Sequence, residues 1–129
     1  MARPPRQPML LRASVSFHTN DEDKDDDTRV DIYVFAADKR TVVAKLTECF
    51  GHFDDHSDSG PYNLVLLESV SRDNLKLGHV DLEIEPNGND TWRFNFLLDL
   101  FFSDGGHLFA KANGLELTEV TSQLTVGIE

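Results

Sequence analysis

Apolar and polar residues alternate along most of this chain with a period of two. Leu11, Ala13, Val15 and Phe17 share one face of a first segment, and Val30, Ile32 and Val34 share a face across Asp31 and Tyr33. That period matches the pleat of a β-strand, whose successive side chains point to opposite faces. Thr41 opens a third apolar run (TVVAKL) and Tyr62 a fourth (YNLVLL). Val80, Leu82 and Ile84 alternate with Asp81, Glu83 and Glu85, the pattern of a half-buried strand with an acidic outer face. Trp92, Phe94, Phe96, Leu98, Leu100 and Phe102 form the longest stripe; HLFAKA from His107 and LTVGI near the C-terminus complete about eight strands.

Turn residues punctuate the pattern at Gly60-Pro61, Pro86-Asn87-Gly88-Asn89, Asp104-Gly105-Gly106 and Asn113-Gly114. Asp104-Gly105-Gly106 reads as a hairpin turn and Asn113-Gly114 as a second tight turn, because glycine tolerates positive φ. No long segment shows a 3.6-residue apolar period, so helices are expected to be short or absent. Many short strands separated by such turns predict an all-β fold, an antiparallel eight-stranded β-sandwich. The length of 129 residues suits one domain. Residues 1–9 carry Pro4, Pro5 and Pro8 and no periodicity; they read as a flexible N-terminal arm before a single sandwich over residues 10–129.

Charge narrows the partners. Twelve basic residues face 23 acidic ones, a net charge of -11. A nucleic-acid binder needs cations to displace phosphate counterions, so nucleic acid is not an expected partner. Unassisted binding to an anionic membrane is disfavoured for the same reason. The single cysteine, Cys49, permits no intramolecular disulfide and reads as an inert buried thiol. No run approaches the ~20 apolar residues of a transmembrane helix. The N-terminus lacks the apolar region of a secretory signal, which leaves two expectations open: a cytoplasmic chain, or one whose signal has been removed.

The charge is concentrated. Seven of the twelve residues from Asn20 to Asp31 are acidic, in a loop between the first two strands. Like charges this close disfavour a tight fold unless a cation joins them, and a hard cation such as calcium takes carboxylate, carbonyl and amide oxygens. Asp21, Asp23, Asp25 and Asp27 are therefore candidate calcium ligands. The spacing Asp21-x-Asp23-x-Asp25 opens like an EF-hand loop but departs from it, with Asp26 in place of the turn glycine and Ile32 in place of the bidentate glutamate. Two further loops are expected to meet it. HFDDHSDSGP offers Asp58 as a metal ligand and His52 and His56 as ligand-contacting residues, and EPNGND offers Asn87, Asn89 and Asp90 as metal ligands. Outward-facing Tyr33 and Phe35 are candidate contacts for a docked ligand.

No nucleophile elbow, phosphate-cradling glycine loop or zinc-protease helix occurs. The principal reading is a non-catalytic module, with no catalytic residues assigned. The alternative is a small enzyme of cyclase, isomerase or hydrolase type that uses loop carboxylates and histidine as acid and base. Asp54, Asp55 and His56 would then act beside Glu83 or Glu85. Asp99, between Leu98 and Leu100, is the only acid isolated in an apolar stretch, and its parity places it on the outer face.

Three segments, VSFHTNDEDKDDDTRVDIYVF, FDDHSDSGPYNLVL and LKLGHVDLEIEPNGNDTWRFNFLLDLFF, together resemble a PLAT domain, the family shared by polycystins, lipoxygenases and alpha-toxin. Thr19, Asp27, Val30, Tyr33, Phe53, Asn87, Asp90 and Trp92 fall where the family's short motifs lie, across residues 11 to about 119. The chain has DDDT where the family has Gly-Thr-Asp, and EPNGND where it has His-Asp-Asn, differences that bear on ligand choice more than on fold. The resemblance implies a PLAT/C2-like sandwich that often binds calcium and docks reversibly on a lipid or protein. Exposed aromatics near a cation site are a means of gripping sugars as well as lipids, so a carbohydrate partner is expected on the same footing.

Overall fold

In the computed structural model of this chain, the described residues are 8–22, 24, 28–49, 53–85 and 90–129, without the side chains of Glu48 and Cys49. Two antiparallel sheets pack face to face. One has the strand order β4-β1-β7-β8, built from Asp58–Asn63, Leu10–Thr19, Thr91–Phe102 and His107–Thr118. The other has the order β5-β3-β2-β6-β9, built from Val65–Leu66, Val42–Cys49, Arg29–Phe35, His79–Glu85 and Gln123–Gly127. A single helical turn, α1 (Arg72–Leu75), begins at Ser71, whose hydroxyl accepts a hydrogen bond from the Asn74 N–H at 3.3 Å. The all-β sandwich expected from the alternation is therefore the observed architecture, and no helix among the described residues is long and apolar enough to cross a membrane.

Among the described residues, nine strands stand where about eight were expected from the pattern. The run YNLVLL is divided: β4 ends at Asn63 in one sheet, Leu64 turns inward, and β5 begins at Val65 in the other. The Leu64 N–H bonds the Ala13 carbonyl at 2.9 Å and so fixes the crossing. Three local expectations need correction. Gly60-Pro61 lies inside β4 rather than between strands, and its peptide bond is cis. Asn113-Gly114 lies inside β8 as an irregularity opposite Asn95, with Gly114 at φ +68, so the left-handed glycine serves a bulge and not a turn. Leu11 does not join the face of Ala13 and Val15. A register shift between Leu10 and Arg12 reverses the parity, so Leu10 is buried and Leu11 is 62% exposed. Asp104-Gly105-Gly106 does form the hairpin between β7 and β8, with Gly105 at φ +82.

The core fills the space between the sheets. Val15 and Phe17 from β1, Trp92 to Leu100 at alternate positions of β7, Val30, Ile32 and Val34 from β2, and Val80 and Leu82 from β6 are all buried. Each such side chain removed from water stabilises the fold by ~1.5–3 kcal/mol. Aromatics dominate one end. The Phe17 ring lies 5.1–6.4 Å from those of Phe53, Tyr62, Trp92, Phe94 and Phe96. This cluster is the platform beneath the candidate site.

Candidate functional site

The strand order explains why the polar loops gather. Of the five chain crossings from one sheet to the other, four, those after β1, β3, β6 and β8, are put at the same end of the sandwich by the antiparallel strand directions. Backbone hydrogen bonds join them. The Asn20 N–H donates to Arg93 O (2.8 Å), the Arg93 N–H to Glu22 O (3.1 Å) and the His56 N–H to Asn20 O (3.0 Å). Lys24 and Phe53 exchange two bonds of 3.1 and 3.0 Å. The crossings after β1 and β6 meet again through Thr28, whose hydroxyl donates to Asp90 Oδ2 at 2.6 Å. The acidic segment, the 53–58 segment and the start of β7 thus form one surface.

Asp21 and Asp58, like Asp90, each have a side-chain partner of their own. Asp21 Oδ2 accepts from Arg93 Nη1 at 3.3 Å, and Arg93 Nε also donates to Glu116 Oε2 at 2.7 Å. The Glu116 bond, then the charge of Asp21, raise the Arg93 guanidinium pKa above its ordinary value. Asp58 accepts from His18 Nδ1 at 2.7 Å, on the outer face of the four-stranded sheet. His56 sits in an exposed turn at φ +56. Among the described residues, no group of three or more His, Cys, Asp or Glu side chains is placed to hold a metal ion. Asp23, Asp25, Asp27, His52, Asn87 and Asn89 lie outside the described residues.

The residue that sequence reasoning passed over is Lys24. It is fully buried although it sits in the most acidic stretch of the chain. Its ammonium donates to the Thr28 carbonyl at 2.9 Å and lies 4.3 Å from the centre of the Phe53 ring. A buried charge is tolerable only with such partners. Below it, the Trp92 indole N–H donates to Thr19 Oγ1 at 3.1 Å. Lys24 therefore fastens the acidic segment to the aromatic cluster and brings one positive charge beneath it. Its signal in the sequence was its solitude: one lysine among six acids from Asp21 to Asp27.

A second feature adjoins this end. A groove of about 320 Å³ runs along the outer face of the four-stranded sheet, floored by Ser16, Asn95 and Leu97 and walled by Asp58 and Lys111. His18 lines it too, a residue without an assignment in the sequence.

Tyr33 and Phe35 lie elsewhere, on the outer face of the five-stranded sheet, half-buried. Phe35 stacks on His79 at 4.6 Å, at the end of β2 away from the loops. Tyr33 stands across from Lys45 and Asp81; burial, then the charges of Asp31 and Glu83, raise its hydroxyl pKa. Val120, in the crossing after β8, is 87% exposed and puts an apolar side chain at the loop-bearing end. Asp99 is on the outer face as its parity implied, where it accepts from His107 Nε2 at 2.8 Å. No protein-family model matches the chain, and no curated protein matches its sequence.

Proposed function

We propose that the chain is a non-catalytic β-sandwich module that docks reversibly on a lipid, carbohydrate or protein partner through its loop-bearing end, with calcium bound there. The observation that carries this reading is the convergence of the acidic segment with the 53–58 segment and the start of β7 on one surface. The resemblance to PLAT domains supports it from the sequence side. Carboxylate and amide oxygens suit a hard cation, which would lower the mutual repulsion of the loop. Asp21 and Asp90, positioned by Arg93 and Thr28, would support ligands supplied by Asp23, Asp25 and Asp27. Lys24 offsets only one of the charges gathered there. Exposed Val120 gives the same end an apolar contact for a partner.

Binding to the folded form stabilises it by about 2.7 kcal/mol at a hundredfold excess over Kd. Millimolar calcium is thus expected to raise the melting temperature by several degrees, and magnesium less so because it demands a smaller octahedral shell. Asp25→Ala combined with Asp27→Ala should abolish the shift. An unchanged melting temperature together with no calorimetric heat would remove calcium from the account.

A further inference from the structure

The groove on the four-stranded sheet has its own chemistry. The carboxylate of Asp58 accepts from His18 Nδ1 at 2.7 Å, which orients the acid at the edge of the groove and leaves it oxygens to accept from a ligand. Asn95 Oδ1 accepts from the Gly114 N–H at 2.9 Å and from Asn20 Nδ2 at 3.1 Å. Both bonds orient the amide, and its own NH₂ is left to donate. Lys111 makes no ion pair or hydrogen bond among the described residues. Acceptors on one side therefore face donors on the other, above the apolar Leu97. One carboxylate, Asp58, and one ammonium, Lys111, oppose each other across the groove.

We propose that this groove binds a neutral saccharide unit. Hydroxyl groups both donate and accept, so adjacent hydroxyls on one ring satisfy Asp58 and His18 as well as Asn95 and Lys111. A phosphate or sulfate would be set against the Asp58 carboxylate, and the chain's charge of -11 repels it at long range. An ammonium group has no acceptor for the donor side. The carbon faces of a sugar ring match Leu97. The volume lies at the lower end of the roughly 300–1,000 Å³ of small-molecule sites, which suits a short saccharide. The inference names one carbohydrate partner within the docking reading and rests on that reading, but it does not require calcium.

The test is retention of the chain on immobilised neutral oligosaccharides of glucose, galactose and N-acetylglucosamine. Sulfated and sialylated glycans and phosphatidylserine vesicles run beside them, each in calcium and in chelator. Neutral glycans should retain the chain in both conditions. Asp58→Ala and Lys111→Ala, both at exposed positions, should each weaken retention about tenfold or more, the scale of one lost hydrogen bond to a charged group. Glu68→Gln, exposed just after β5 and outside the groove, should leave it unchanged. The retained sugar should also shift the amide resonances of Ser16, Leu97 and Lys111 in the unaltered chain. No neutral-glycan binding, binding confined to anionic glycans or vesicles, or neutral binding unaffected by either groove variant would overturn the proposal. Saccharide binding without any calcium heat would sink the calcium site and leave the groove standing; calcium heat without saccharide binding would do the reverse.

Discussion

Asp38 shows how much one exposed carboxylate can organise. It lies in the turn between β2 and β3, accepts the Arg40 and Thr41 N–H groups at 2.9 Å each, and accepts the Thr41 hydroxyl at 2.6 Å. The bonds from Thr41, then that from Arg40, lower its pKa from 3.8 to about 2. A depressed carboxylate pKa favours the folded state above the unfolded value, and that contribution is lost as pH falls through the folded value. Asp38→Ala should therefore lower the melting temperature at neutral pH, with the deficit shrinking between about pH 4 and pH 2. Carbon-detected NMR titration of the carboxyl group should place its midpoint near 2; an ordinary midpoint would show that the clasp does not persist in solution. Residues of this kind are only half legible from sequence. Asp38 could be read as a turn former, and Asp99 as an outer-face acid, but pairings such as His18 with Asp58 depend on which strands become neighbours. Lys24 is the extreme case, since a lysine among acids reads as solvated until tertiary packing places it over Phe53.

At the scale of elements, alternation located most strands because one face of each is buried in the core. It failed where an extra residue resets the parity or where the chain changes sheets. Leu11 was misassigned by a bulge, and the division of YNLVLL follows from the crossing at Leu64. The Asn113-Gly114 signal was read correctly as positive φ and incorrectly as a turn, because left-handed glycine serves bulges equally well. Gly60 illustrates the constraint that such positions impose. Its φ is +102, and a Cβ there would lie 2.8 Å from the Val15 carbonyl oxygen. Gly60→Ala should cost more than about 1 kcal/mol through strain and loosened β1–β4 pairing. Chemical denaturation measures the loss directly; a variant as stable as the parent would mean that β4 does not pack on β1 as described. Because Gly60 borders the groove, the same substitution should also disturb that face.

For the whole molecule, the arrangement of charge follows from topology. All four crossings at one end join different sheets, so acidic segments distant in sequence become one surface, while the opposite end carries the β2–β3 and β7–β8 hairpins and α1. The class of fold was legible because period-two alternation is strong and helical periodicity absent. The meeting of three loops was expected from their composition alone, and its physical cause, the crossing pattern, emerges only with the strand order. The groove was illegible because its walls come from β4 and β8, on either side of β1 and β7. The central claim is that a cation organises the loop-bearing end. Calcium titration followed by amide-resolved NMR tests it most directly. The account predicts saturable shifts clustered at residues 20–28, 53–58 and 90–93, with Phe35, Asp38 and Gly105 at the other end unmoved. Shifts scattered over the acidic outer face of β6, or none at millimolar calcium, would contradict it.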